Sequence, residues 1–78
     1  MIIFEAGQEV LVVEHDEGAR QPKPDGIVRR GVVTETDGQY VWVRYHDDGI
    51  LDIFWAETGW RAWDGGEYRW KLTHAEES

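Results

Sequence analysis

Apolar and polar positions alternate most regularly between Gly31 and Tyr45, and the rest of the chain is arranged around that stretch. Gly31-Val32-Val33-Thr34-Glu35-Thr36 runs into Asp37-Gly38 and then Gln39-Tyr40-Val41-Trp42-Val43-Arg44-Tyr45. β-Branched and aromatic residues fill both arms and suit a pleated, half-buried surface. Asp and Gly tolerate the positive φ that a two-residue turn needs, so the spacing predicts a β-hairpin. Side chains alternate along a strand. Val41, Val43 and Tyr45 therefore share one face, and Tyr40, Trp42, Arg44 and His46 the other.

The flanking segments extend the same pattern. Gln8–Glu14 has an apolar centre, Val10-Leu11-Val12-Val13, and reads as a first strand covered on both faces or lying at a barrel seam. His15 to Gly26 is a long loop, because Pro22 and Pro24 exclude both a helix and a central strand there. Ile27–Thr36 is the second strand, with Gly31 marking a bulge or tight bend. Tyr40–His46 is the third, followed by a turn at His46-Asp47-Asp48-Gly49. Ile50–Trp55 is the fourth, with Leu51, Ile53 and Trp55 facing one way, followed by a turn at Ala56-Glu57-Thr58-Gly59. Trp60–Trp63 and Glu67–Thr73 flank Asp64-Gly65-Gly66, a further hairpin signal. In the last arm Tyr68, Trp70 and Leu72 alternate with Glu67, Arg69 and Lys71, giving one buried and one wet face.

Turn signals about every 8–12 residues with no helical periodicity predict an all-β domain. The best fit is a small five-stranded SH3-like barrel built from hairpins, with a long loop after the first strand. Residues 1–78 form one domain, with an ordered core over about 4–73 and a polar tail at 74–78.

Composition narrows the chemistry. A 78-residue chain without cysteine has neither disulfides nor cysteine metal sites to reinforce it, which fits a reducing, cytoplasmic setting. Five Trp, three Tyr and two Phe are the expected reinforcement, and homodimerisation is another route. Met1-Ile2-Ile3-Phe4 stops at Glu5 with no basic residues before it, so neither a signal peptide nor a membrane span is expected. The net charge of −8 disfavours nucleic acid, whose phosphates draw on Lys and Arg, and favours a partner with a basic surface. Arg20, Lys23, Arg29 and Arg30 form the one basic segment. It leaves nucleic-acid binding through residues 20–30 as an alternative, and an acidic DNA mimic as another.

The aromatic excess carries the functional expectation. Each Trp buries on the order of 200 Å², and so small a barrel has room for about two or three such rings. Trp55 and Trp70 share faces with Leu51, Ile53, Tyr68 and Leu72, which places them inside. Trp42 lies with Arg44 and His46, and Trp60 and Trp63 are three apart, so at least one of these three faces outward. The expected partner-binding set is Trp42, Trp60, Trp63 and Tyr40, rimmed by Asp47, Asp48, Asp52 and Glu57. The competing reading is a minor second core, with the 15–26 loop folded over these rings.

His46-Asp47-Asp48 has the residue types of a metal or acid–base site, but Asp-Asp-Gly is turn chemistry and that reading is preferred. His15-Asp16-Glu17 is read in the same way. No Ser/His/Asp or Cys/His arrangement is available, the one serine being Ser78. Thr34, Thr36, Thr58 and Thr73 have no activating neighbour. The expectation is a binding protein rather than an enzyme, with no catalytic residues, cofactor or metal.

Gly7 followed by Val10-Leu11-Val12-Val13, and the run Gly31-Val32-Val33-Thr34, turn, Tyr40-Val41-Trp42-Val43-Arg44-Tyr45, resemble the opening strands of SH3-like and Tudor-like barrels. Thr58-Gly59 and Arg69-Trp70-Lys71-Leu72 resemble small, mostly uncharacterised proteins of actinobacteria and their phages. The likeness covers most of residues 4–73 and transfers no catalytic residue. It implies the barrel fold and, for a phage-type protein, a host or defence protein as partner. Tudor-like readers hold methylated Lys or Arg in an aromatic cage. Tyr40, Trp42, Tyr45 and Phe54 are the residues this resemblance offers for one. The basic face of the nucleic-acid-binding members is missing.

Overall fold

The computed structural model describes residues 3–15, 22–62 and 70–75. They form five strands: β1 Glu9–Glu14, β2 Val28–Thr36, β3 Tyr40–Tyr45, β4 Leu51–Trp55 and β5 Trp70–His74. All pairings are antiparallel, in the order β4-β3-β2-β1-β5. β1 lies between β2 and β5, pairing Val10 with Gly31 and with His74, and Val12 with Arg29 and with Leu72. Among the described residues no helix is long and apolar enough to cross a membrane.

The sheet curls until its two edges share one strap, residues 59–62. On the β4 side, Trp55 N donates to Trp60 O at 2.8 Å and Ala62 N to Ile53 O at 2.9 Å. On the β5 side, Arg61 N donates to Trp70 O at 2.9 Å and Leu72 N to Gly59 O at 2.7 Å. The result is barrel-like, and both edges lose much of their open hydrogen-bonding capacity. The Asp64-Gly65-Gly66 turn, Trp63 and Tyr68 lie outside the described residues.

The concave face holds the core: Phe4, Val10, Val12, Val33, Val41, Val43, Tyr45, Phe54 and Leu72. Val41, Val43 and Tyr45 sit on one face of β3, as alternation requires. Trp70 is half-buried and packs against this core.

β4 has the opposite phase to the one read from its apolar residues. Asp52 and Phe54 point inward, while Leu51 and Trp55 are exposed at 48% and 38% and Ile53 is only half-buried. Trp55 is therefore not a core residue. Four of the five positions in this strand are apolar, so hydrophobicity does not fix its phase. The inward Asp52 is tolerated because it has partners there, and a one-residue shift exchanges the two faces.

Gly31 is not the bulge. The irregularity lies between Val33 and Glu35, leaving Thr34 as the extra residue opposite Trp42. Gly31 instead marks close approach: a Cβ there would meet Val43 Cγ1 at 2.7 Å and Arg44 O at 2.8 Å. The β2–β3 connection runs over residues 37–39, one longer than a two-residue turn. Asp37 Oδ1 accepts from the amides of Gln39 and Tyr40, both at 2.9 Å. These two backbone bonds, Tyr40's the larger effect, hold its carboxyl below the ordinary Asp range.

The expected loop after β1 is pinned at its described ends by Glu14. Its backbone exchanges hydrogen bonds with Ile27 and Lys23, and its buried Oε1 accepts from Ile27 N at 3.0 Å. Residues 16–21 of that loop, Arg20 included, are outside the described set. The turn at Asp47-Asp48-Gly49 closes as its residues predict: Gly49 adopts φ 73°, and Asp48 Oδ1 accepts from Ile50 N at 3.0 Å.

Candidate functional site

The outward phase of β3 and β4 builds an aromatic cleft. Tyr40 pairs with Trp55 and Trp42 with Ile53 across the two strands. The Tyr40 and Trp55 ring centroids are 4.8 Å apart with planes tilted by 33°. Tyr40 and Trp42 stand edge to face at 6.0 Å and 63°. Both arrangements suit the ring quadrupoles, and directly opposed aromatic pairs stabilise a sheet. The strap completes the wall, because the Ala62–Ile53 hydrogen bond brings Ala62 alongside. Tyr40, Trp42, Ile53, Trp55 and Ala62 together line a cavity of about 430 Å³.

Among the described residues no charged side chain lines this cleft. Glu35 pairs with Trp42 on the β2 side and is exposed. Arg44 follows Trp42 on the same face and donates to Gly49 O at 2.9 Å.

The residues expected at one site separate in the fold. Tyr40 and Trp42 belong to the cleft. Trp60 lies elsewhere, edge-on to His15 at 5.1 Å. Tyr45 and Phe54 are in the core, so they contribute nothing to an outer aromatic cage. Asp47 and Asp48 do not rim the cleft but bind Arg29, which donates to Asp47 Oδ1 at 2.8 Å and Asp48 Oδ2 at 2.9 Å. That guanidinium holds the Asp47 carboxyl below its ordinary range. Glu57 is exposed in the turn after β4. Lys23 reaches Glu14 Oε2 at 3.7 Å, so the described basic segment is partly neutralised at home.

Asp52 is a correction. It is 7% exposed and faces the interior, so it is not a rim acid. Tyr45 donates its hydroxyl to Asp52 Oδ2 at 2.8 Å, and Arg61 Nε donates to Oδ1 at 3.2 Å and lies 3.0 Å from Oδ2. Arg29 stacks over the outer side of the Tyr45 ring, 3.6 Å from its centroid. The polar atoms of this group satisfy one another.

Burial, and then the hydrogen bond to and charge of Asp52, push the Tyr45 phenol well above its ordinary value. Below the unfolded value of about 10, Tyr45 is protonated in both states and its contribution is fully present. Above that value the unfolded chain ionises first, so stability falls by up to ~1.4 kcal/mol per pH unit. Urea midpoints at pH 9 and pH 11 are expected to separate more in the wild type than in Tyr45→Phe. Equal separations would contradict this account.

Alternation missed Trp55, Ile53 and Ala62. The usable signal was the partner strand: with Tyr40 and Trp42 outward and β4 antiparallel to β3, one correct register places Ile53 and Trp55 opposite them. Compared with known protein families, curated proteins and solved structures, the chain matches none.

Proposed function

We propose that this chain is a non-enzymatic protein-binding module on an SH3-like barrel, and that a basic partner docks in the cleft of Tyr40, Trp42, Ile53, Trp55 and Ala62. The observation that carries this reading is the convergence of three aromatic rings on one open face with, among the described residues, no charged side chain between them. Exposed aromatic clefts are costly on an isolated domain and are enriched at interaction hot spots.

The sign of the partner follows from charge. The chain carries −8, and Glu35 flanks Trp42. A partner Lys or Arg entering the cleft gains cation–π attraction of about 0.5–2 kcal/mol from the ring faces. The acidic contribution comes from Glu35 and the whole-chain field, not from Asp47, Asp48 or Asp52. The five-strand order and the strap joining its edges support the SH3-like assignment.

The test is a fluorescence titration with capped Gly/Ser heptapeptides carrying one central Arg, Lys or Gln. The Arg and Lys peptides are expected to change the tryptophan signal saturably, and the Gln peptide is not. The double variant Trp42→Ala, Trp55→Ala is expected to lose at least ~10-fold in affinity while remaining folded, at a cost of about 2 kcal/mol in unfolding free energy. Equal responses to all three peptides would remove the cation from the proposal.

A further inference from the structure

A second cavity, of about 250 Å³, lies on the other side of the barrel and is lined by Val13, His15, Pro22, Lys71, Leu72 and Thr73. Val13 and Pro22 supply its aliphatic wall, and its polar groups differ in role.

His15 is 7% exposed, and its Nδ1 lies 3.1 Å from Val13 O. A carbonyl only accepts, so in the neutral ring Nδ1 carries the proton and Nε2 is a bare acceptor. Among the described residues Nε2 has no hydrogen-bond partner, yet no sealed side-chain nitrogen or oxygen is left unpaired. Nε2 is therefore not sealed, and His15 lines this cavity. Lys71 forms no ion pair with a described carboxylate. Its ammonium lies 5.3 Å from the Trp60 ring centroid, and His15 packs on the same indole at 5.1 Å. Thr73 shares the outer face of β5 with Lys71 and lines the same cavity.

These groups ask for one ligand: a carboxylate for Lys71 and Thr73, a neighbouring N–H for His15 Nε2, and an aliphatic side chain for Val13 and Pro22. We propose that this cavity binds an acylated aliphatic amino acid through its free carboxylate. That chemistry is offered both by the C-terminal residue of a peptide and by a free N-acyl amino acid. The site is separate from the aromatic cleft and does not depend on it.

The test uses the full ¹⁵N-labelled chain, observing the His15 imidazole and Trp60 indole nitrogens. The probes are N-acetyl-leucine, N-acetyl-leucine amide, and an N-acetylated Gly-Ser-Gly-Leu peptide with a free C-terminus. Saturable shifts at both residues with N-acetyl-leucine or the peptide, and a response at least ~10-fold weaker with the amide, are expected from the charged hydrogen bond. Comparable binding by both carboxylates means that the acyl-amino-acid unit suffices. Much tighter binding by the peptide identifies a chain terminus as the ligand.

Lys71→Met keeps the aliphatic stem and is expected to weaken binding at least ~10-fold. If that variant misfolds, the amide comparison on the wild type still decides. Trp42→Ala with Trp55→Ala is expected to leave this response unchanged, which separates its failure from that of the cleft. Equal binding of acid and amide, or no saturable shift with either carboxylate at millimolar concentration, overturns the proposal.

Discussion

Gly31→Val is expected to remove more than half of the domain's stability. The reason is space rather than backbone strain. Gly31 is buried in β2 between Val10 of β1 and Tyr45 of β3, so neither neighbour can retreat without breaking a ladder. Its Cβ alone would come within 2.7 Å of Val43 Cγ1 and 2.8 Å of Arg44 O. The second contact is with backbone, which cannot rotate away as a side chain can. Overpacking of this kind costs about 3 kcal/mol, and a domain of this size holds only about 5 kcal/mol in total. Gly31→Ala is expected to lose most of the same amount, because the first carbon already meets the obstruction. Gly38→Ala is the contrast. Its φ is 93° but nothing lies within 4 Å of the added carbon, so only a conformational cost of about 1 kcal/mol remains. Circular dichroism with urea denaturation ranks the three. A native midpoint for Gly31→Val would contradict the close approach of β2 and β3.

The second large effect separates the two possible phases of β4. Phe54→Ala is expected to cost about 3–5 kcal/mol, because Phe54 is fully buried and is the largest such side chain in the core. Trp55→Ala removes a bigger side chain from the adjacent position but is expected to cost about 1 kcal/mol, since Trp55 is exposed on the outer face. Were Leu51, Ile53 and Trp55 the inward set, the order would reverse. Urea unfolding of the two variants side by side reads this out, and a larger loss for Trp55→Ala would overturn the strand's assigned phase.

The two strands show what a sequence makes legible. β3 alternates Tyr40, Val41, Trp42, Val43, Arg44, Tyr45, and its polar Arg44 fixes the outer face, so both faces could be read directly. β4 reads Leu51, Asp52, Ile53, Phe54, Trp55, and its one polar residue points inward. Asp52 can do so only because Tyr45 and Arg61 meet it there, one from β3 and one from the strap. That pairing is a tertiary fact with no local trace, and it explains both the inverted strand and the misplaced acidic rim. Gly31 was legible as special, but not in which way: a glycine in a strand announces either a bulge or a close neighbour, and only the register separates them. The turn at Asp47-Asp48-Gly49 was legible because its chemistry is local, whereas its ion pairs to Arg29, eighteen and nineteen residues away in sequence, were not. The cleft was half legible. Tyr40 and Trp42 were assigned to one outward face from β3 alone, and their partners Ile53 and Trp55 depended on the phase of β4.

The outer face of β3 and β4 is the surface proposed to receive a partner. The most direct measurement is the set of indole N–H resonances of the ¹⁵N-labelled chain as the single-Arg heptapeptide is added. The cleft predicts saturable shifts at Trp42 and Trp55, with Trp70, packed against the core, unmoved. Saturable shifts that bypass Trp42 and Trp55, or none at either of them, would contradict it.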